Sequence, residues 1–171
     1  MNTVEINRGI PGSGKSTLTN FLLGECNRLG LSYACHSTDD LRIVDGVYIF
    51  DPAKTGYYHN LNYTNFKTSL ENGVNLVVVD NTNVVLKDFV KYVEAGKKAG
   101  YKVIEVFFHP DELSKHIKRN LHSVPRASIE KMYQRLMGAK NLDFADGKYE
   151  IFPKTYMENI EAAAKSIVDG I

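Results

Sequence analysis

The sequence predicts an α/β fold in which a central parallel sheet is flanked by helices. Strand-like and helix-like segments alternate along the 171 residues, which is the pattern of a parallel sheet with helical crossovers. The strand-like stretch 74–79 is a largely apolar run, as expected for a strand that is buried on both faces. With 43% apolar residues, a chain of this length can form one domain, 1–171, with a sizeable core.

Glycine and proline residues delimit the predicted elements in the first half of the chain. Leu18, Leu22 and Cys26 lie on one face of the first helix, and glycine ends each of the first two helices. The predicted elements are a strand at 3–7, a helix at 15–29, a strand at 31–36, an irregular stretch at 42–52, a helix at 52–72 and a strand at 74–79.

The second half continues the alternation and adds a polar break. Asp111 is a plausible N-cap for a short helix, and Ile129, Met132, Tyr133 and Leu136 follow helical spacing. The predicted elements are a helix at 86–99, a strand at 102–108, helices at 111–118 and 127–137, a loop at 138–147, a strand at 149–152 and a helix at 154–169.

Composition narrows the class of protein only slightly. The net charge of +1 argues against a globally basic nucleic-acid coat, but allows a local basic groove. No apolar run reaches membrane-spanning length, and the first residues lack a signal-peptide pattern. We therefore expect no membrane partner and a cytosolic location. Cys26 and Cys35 fall in a predicted helix and strand, so both are expected to be small buried hydrophobes.

The most informative motif is Gly9–Ser16, which reads GIPGSGKS. It matches the phosphate-binding loop pattern G-x-x-x-x-G-K-[ST] and lies between a predicted strand and a predicted helix. Glycines allow backbone N–H groups to close around phosphate oxygens. Lys15 is expected to reach the β- and γ-phosphates, and Ser16 to hold Mg²⁺. A chance glycine-rich turn is the alternative. The expected nucleotide contacts are Gly12, Ser13, Gly14, Lys15, Ser16 and Thr17.

Asp39 and Arg42 follow the second predicted strand, at the sheet edge where ligands bind in open parallel sheets. Phosphoryl transfer to a hydroxyl needs a carboxylate for the hydroxyl proton and a cation beside the phosphate. The pair supplies both. The alternative is that an aspartate only caps a helix and Arg42 is a surface residue.

Asp80 ends the apolar run 77–79. A strand ending in aspartate is the form of the second phosphate-loop ATPase motif, whose carboxylate approaches Mg²⁺ directly or through water. The following residues, Asn81-Thr82-Asn83, are equally compatible with a simple turn.

Arginines at the polar break predict a mobile lid segment, residues 112–137. Kinases of this type cover the triphosphate with a segment that delivers arginine to the developing charge. Arg119 and Arg126 are the candidates, next to Lys118; a solvated charged turn is the alternative. His59, within an aromatic and amide-rich stretch at 57–63, is a further candidate for substrate contact or is half-buried in a helix face.

The strings GIPGSGKS, STDDLR, VVVDNTN and RNLHSVP occur in this order, and together they resemble polynucleotide 5′-hydroxyl kinases of the phage type. The string YIFDP, with His59 and Asn62 after it, resembles one branch of small kinase domains found alone in phages and bacteria and fused within larger eukaryotic proteins. The resemblance runs from about residue 3 to residue 136. It implies a P-loop kinase fold with a helical lid.

The resemblance also implies roles for particular residues. Lys15 and Ser16 would bind ATP phosphates and Mg²⁺, and Asp39 would be the general base. Arg42 would hold the acceptor's phosphate or orient that base, and Arg119 matches the first lid arginine. The position of a second lid arginine is Ser123, which leaves Arg126 as a candidate substitute.

We therefore expect an ATP- and Mg²⁺-dependent kinase whose partner is nucleic acid, DNA or RNA, with a 5′-hydroxyl end as acceptor. Alternatives are a modified-base hydroxyl in DNA, such as 5-hydroxymethylpyrimidine, or a nucleoside or nucleotide. A non-catalytic nucleotide-dependent switch ranks lower. A phage-encoded chain would work in the host cytoplasm.

Overall fold

A computed structural model describes all residues from Met1 to Ile171. Five parallel strands form the central sheet in the order β2-β5-β1-β6-β7, and two short antiparallel strands, β3 and β4, form a separate hairpin. The strands are β1 (Thr3–Arg8), β2 (Tyr33–His36), β3 (Ile43–Val44), β4 (Val47–Tyr48), β5 (Leu76–Val79), β6 (Lys102–Phe108) and β7 (Gly147–Ile151).

Helices cover both faces of the sheet, as parallel strands require. The helices are α1 (Lys15–Leu29), α2 (Thr55–Glu71), α3 (Leu86–Lys98), α4 (Leu113–Lys118), α5 (Arg126–Gly138) and α6 (Tyr156–Asp169). The first and last helices share one apolar cluster with the strands, while α2 and α3 share a second cluster on the opposite face. A third, smaller cluster joins Ile10 and Phe107 to Ile129 and Leu136 of α5.

The register of the sheet brings three chain segments to one edge. Val79 of β5 lies opposite His36 of β2 and Ile6 of β1. The residues that follow these three strands therefore emerge side by side at their carboxyl ends. This edge carries the glycine-rich loop, residues 37–42 and residues 80–83, as the sequence predicted.

Most predicted elements agree with the structure to within a few residues, and the differences have local causes. The stretch 42–52 is not irregular throughout, because it contains the β3–β4 hairpin between two short 3₁₀ turns. Asp111 is not the N-cap of α4, since that helix begins at Leu113 after Glu112. The Asp111 carboxylate instead accepts a hydrogen bond from the Glu112 N–H and pairs with Lys115 and Arg119. Cys26 is buried, whereas Cys35 is only partly buried, and both are free thiols.

Three charged side chains in the sheet are buried, and they differ in how their hydrogen-bonding groups are satisfied. Arg8 donates to Glu105 Oε1 at 2.7 Å and to the carbonyls of Asn83, Val84 and Ala139. It therefore fixes the loop after β5 against the end of α5. Glu5, three residues before Arg8 on β1, has no hydrogen-bond partner for either carboxylate oxygen.

None of the helices is both long and apolar enough to cross a membrane.

Candidate active site

A single large cleft opens at the carboxyl edge of the sheet. Its volume is about 1110 Å³, slightly above the range of about 300–1,000 Å³ that holds one small-molecule ligand. The glycine-rich loop forms one wall, residues 37–42 and the hairpin form the opposite wall, and the lid segment lies over the opening. The cleft therefore has room for a donor and an acceptor at once.

The glycine-rich loop has the backbone geometry of an anion site. Gly12 and Gly14 take left-handed conformations with φ of 73° and 93°, which side chains rarely adopt. The backbone N–H groups of Gly12, Gly14, Lys15 and Ser16 donate to no protein acceptor. These four donors surround the N-terminus of α1, where the helix dipole also favours negative charge.

Gly14 also has no room for a side chain. A Cβ at this position would overlap the ring and hydroxyl of Tyr156, the first residue of α6. The Tyr156 hydroxyl donates to the Gly14 carbonyl at 3.0 Å. The C-terminal helix thus buttresses the phosphate-binding loop directly.

Lys15 and Asp80 form the charged floor of the cleft. The Lys15 ammonium donates to the carbonyls of Gly9 and Ile10 at 3.0 and 3.3 Å. Burial lowers the pKa of Lys15, and the nearby charges of Asp80 and Asp39 oppose that shift. Burial raises the pKa of Asp80, while Lys15 and hydrogen bonds from Asn7 and Thr19 favour its charged form. Lys15 is therefore within electrostatic reach of both carboxylates.

The oxygen donors beside Lys15 suit a magnesium ion that is bound together with a nucleotide. Ser16 and Asp80 both line the cleft. A hydroxyl and a carboxylate are hard ligands of the kind that Mg²⁺ takes alongside phosphates and water. No three His, Cys, Asp or Glu side chains are grouped to hold a metal ion by themselves, so phosphate and water oxygens would complete the coordination.

Asp39, Arg42 and Tyr48 form a hydrogen-bonded unit on the opposite wall. Arg42 Nη1 and the Tyr48 hydroxyl donate to Asp39 Oδ1 at 3.3 and 3.0 Å, and Arg42 Nη1 also reaches the Tyr48 oxygen at 3.2 Å. The Arg42 side chain is 9% exposed and its guanidinium lies over Phe50. Its buried Nε has no partner. The unit therefore pairs the Asp39 carboxylate with the Arg42 guanidinium, whose Nε is a hydrogen-bond donor without a partner.

His59 lies next to this unit. Its Nδ1 is 3.4 Å from the Thr38 hydroxyl, and the Thr38 backbone N–H donates to the Asn81 side chain at 2.9 Å. Burial lowers the pKa of His59, and the positive charge of Arg42 adds to this effect. The loops after β2 and β5 are thus tied together, and His59 faces the cleft as a neutral group at pH 7.

The lid segment is anchored on the glycine-rich loop through His116. This buried histidine accepts a hydrogen bond from the Asp111 N–H at its Nε2, so its Nδ1 carries the proton and donates to the Pro11 carbonyl. Arg119 follows one turn later, with its Cβ 2.9 Å from where a Cβ on Gly12 would be. The guanidinium is 53% exposed and pairs with Asp111 at 3.3 Å. The Arg119 position therefore lies directly over the loop.

The polar break contributes His122 and Ser123 to the cleft rather than a second arginine. The α4 helix ends at Lys118, and Ser123 takes a left-handed backbone with φ of 52°. An arginine four positions after Arg119 would therefore not continue a helical face. Arg126 is 73% exposed, pairs with Glu130 at 2.8 Å and does not line the cleft. The His122 ring instead stacks on Tyr48.

The cleft thus brings together nearly all of the residues selected from the sequence, and it leaves out Arg126. Sequence reasoning missed Tyr48, His116 and Tyr156. Tyr48 lies in the string YIFDP, in which no single residue has an assigned role, and His116 and Tyr156 belong to no motif. Tyr156 is the first residue of α6 and faces Gly14. Only the packing of α1 against α6 reveals this contact.

The parallel sheet flanked by helices, the phosphate-binding loop at its edge and the helical lid together define a P-loop kinase fold. Solved structures of other proteins have the same fold. Mycobacterium tuberculosis APS kinase CysC, in complex with AMPPNP and APS, is 18% identical with a TM-score of 0.66, and the match covers 98% of this chain and 96% of that one. Chaetomium thermophilum Kti12, in complex with ADP-AlF3, is 13% identical with a TM-score of 0.69 and 98% coverage of both chains.

A third structure matches only in part. A chain of the Pnkp1/Rnl/Hen1 RNA repair complex is 21% identical with a TM-score of 0.68, and the match covers 84% of this chain and 47% of that chain. In sequence, human NEDD4-binding protein 2 is 36% identical over 138 residues, which are 76% of this chain. The match spans 8% of that protein's length. No protein-family model matches the chain.

Proposed function

We propose that this chain is an ATP-dependent kinase that transfers the γ-phosphate to a hydroxyl of a nucleic acid, with the 5′-hydroxyl end of DNA or RNA as the favoured acceptor. One observation carries the proposal. The Asp39–Arg42 unit faces the phosphate-binding loop across one cleft, and Asp39 is close enough for its charge to act on Lys15. A protein that only binds nucleotide has no need of this second wall.

The residues on the two walls have complementary tasks in the proposed reaction. The free N–H groups of the loop and Lys15 hold the β- and γ-phosphates. Asp39 Oδ2, which accepts no hydrogen bond from the protein, is available to take the proton of the attacking hydroxyl. Arg119, whose side chain pairs with Asp111 beside the loop, would turn toward the transferring phosphoryl group during the reaction. Ser16 and Asp80 would hold Mg²⁺ together with the phosphates, and the ion would supply positive charge beside the phosphate oxygens.

The acceptor wall favours a nucleic acid over a small apolar alcohol. The buried Nε of Arg42 is a free donor for an anion such as a phosphate next to the acceptor hydroxyl. Exposed Phe50 provides an aromatic face on which a base can stack. The likeness to a chain of an RNA repair complex and the ordered motifs support placing the chain with polynucleotide kinases of the phage type.

Transfer of labelled γ-phosphate from ATP to defined acceptors tests the proposal. The acceptors are 5′-hydroxyl oligodeoxynucleotides, 5′-hydroxyl oligoribonucleotides, DNA containing 5-hydroxymethylcytosine and free nucleosides. Labelling of 5′ ends supports the proposal. If only the modified base or only a nucleoside is labelled, that hydroxyl is the acceptor instead of the 5′ end. Hydrolysis of ATP without transfer to any hydroxyl indicates a nucleotide-dependent switch.

Asp39→Asn is the decisive variant. Loss of a general base lowers the rate by about 10²–10⁴-fold, while AMPPNP binding, measured by calorimetry, stays within about twofold. Asp45→Asn removes the same charge from the exposed tip of the hairpin and serves as the matched control. Near-normal transfer by Asp39→Asn would show that Asp39 is not the base.

A further inference from the structure

The Tyr48 side chain contacts both the lid segment and the Asp39 carboxylate. Its ring stacks on the His122 ring of the lid, with centroids 4.4 Å apart and planes inclined by 28°. Its hydroxyl donates to Asp39 Oδ1 at 3.0 Å and receives a hydrogen bond from Arg42 Nη1. Tyr48 therefore provides a direct physical connection between the lid and Asp39.

We propose that Tyr48 is a positioning residue for the transfer reaction: the closed lid, through His122, holds the Tyr48 ring so that its hydroxyl orients Asp39 toward the acceptor hydroxyl. This inference rests on the proposed function. It assigns to the break in the lid, where an arginine was expected, a contact with the acceptor side of the cleft.

The hydrogen bonds at Asp39 explain why an orienting partner is needed. The Asp39 side chain is 45% exposed, and the terminal torsion of a carboxylate is soft. Both donors bind Oδ1, and none binds Oδ2. The Tyr48 hydroxyl and Arg42 thus fix the orientation of the carboxylate while the second oxygen stays free to accept a proton.

The hairpin cannot hold Tyr48 in place by itself. Each of its strands has two residues, and an isolated hairpin of that size is unstable in water. Ile43, Val44 and Val47 of the hairpin are exposed, so no core packing fixes it from outside. Stacking on His122 of the lid supports the Tyr48 ring from outside the hairpin, and under the proposal this support is lost when the lid moves away from the cleft. Asp39, the general base, would then be oriented only when the lid covers the nucleotide site.

Three variants separate the hydroxyl from the ring stack. Tyr48→Phe removes the hydrogen bond to Asp39 and keeps the ring. His122→Ala removes the stack, and His122→Phe restores an aromatic ring. Tyr149→Phe is the matched control, because that hydroxyl bonds Ser166 at 3.1 Å on α6 and does not line the cleft. The measurement is the kcat and KM for ATP and for a 5′-hydroxyl oligothymidylate.

We expect Tyr48→Phe to lower kcat by about 10- to 100-fold, the loss expected for one hydrogen bond to a charged group. His122→Ala should lower it by about 2- to 10-fold, the value of one aromatic contact, and His122→Phe should recover most of that loss. The KM for ATP should stay within about twofold of the original in all of them.

The double variant Tyr48→Phe/His122→Ala tests the coupling. If the stack acts through the Tyr48 hydroxyl, adding His122→Ala to Tyr48→Phe changes kcat by less than about twofold, because coupled sites are not additive. Losses that multiply, or a Tyr48→Phe variant as active as Tyr149→Phe, overturn the proposal.

Failure of the proposed function would look different. If the unaltered protein phosphorylates none of the hydroxyl acceptors, the same variants are compared in ATP hydrolysis, in which water is the acceptor that Asp39 orients. The same pattern of losses would support the positioning role, and equal hydrolysis rates for all variants would overturn it.

Discussion

Replacing Glu5 by glutamine should stabilise the protein, and the gain should depend on pH. Both carboxylate oxygens of Glu5 are buried in β1 without a hydrogen-bond partner. Burial, with a smaller contribution from the charge of Asp80, raises the pKa of Glu5 from 4.5 to about 8. The folded protein therefore binds this proton more tightly than the unfolded chain does.

The size of the effect follows from the interval between the two pKa values. One unit corresponds to about 1.4 kcal/mol, so the interval from 4.5 to about 8 corresponds to at most about 5 kcal/mol. Below pH 4.5 the carboxyl is protonated in both states, and its contribution to stability is intact. Between pH 4.5 and 8 the unfolded chain ionises first and this contribution is lost; above pH 8 no further loss occurs. Glutamine does not titrate.

Urea unfolding, followed by circular dichroism from pH 5 to pH 9, measures the difference. The free energy of unfolding of Glu5→Gln should exceed that of the original chain by several kcal/mol at pH 8.5 and by little at pH 5. Glu105→Gln is the matched control on the neighbouring strand, because its carboxylate pairs with Arg8. Breaking that buried pair should cost about 3–5 kcal/mol. A Glu5→Gln difference that does not change with pH would refute the reasoning.

Three further predictions concern the cleft and the core. Gly14→Ala should weaken AMPPNP binding by more than about tenfold in calorimetry, because its φ of 93° disfavours a side chain and the Cβ would meet Tyr156; unchanged affinity would contradict this. His116→Ala should weaken the same binding by about 3- to 10-fold through loss of the lid contact to Pro11. Burial lowers the pKa of His116, so its contribution to stability is present above pH 6.5 and is lost as the pH falls below it; His116→Ala should flatten that part of the urea profile, and a profile of unchanged slope would contradict it. Phe66→Ala should lower the free energy of unfolding by about 3–5 kcal/mol, because this ring is fully buried between α2 and the sheet; a loss below about 1 kcal/mol would show that the core closes around the gap.

The parts of the fold that the sequence predicts well are those with a strong local signal. The bounds of α1 and β6 are as predicted, since α1 follows a phosphate-loop motif and ends at Gly30, and β6 is a long apolar run between two turns. The meeting of Asp39 with Asp80 also follows from the sequence, because parallel strands present their carboxyl ends at one edge.

Other features depend on tertiary contacts that leave no local pattern. Strands of two residues have no periodicity, so the hairpin that carries Tyr48 was not predicted. Asp111 precedes a helix and has the right chemistry for a cap, but lysine and arginine side chains one and two turns later attract it more strongly. The position of Arg126 depends on Glu130, four residues further along the same helix. Which partner Asp111 or Arg126 binds depends on the three-dimensional positions of the charged side chains, which the composition of the sequence does not give.

The contact between Tyr156 and Gly14 has a consequence for the order of events during synthesis. The two residues are 142 positions apart, so a ribosome must make all of the residues between them before the phosphate-binding loop acquires its support. Domains form as the chain emerges, and a nucleotide that binds only the finished loop stabilises only the finished fold. ATP would therefore act late, because it would stabilise molecules that already contain α6 over those that still lack it.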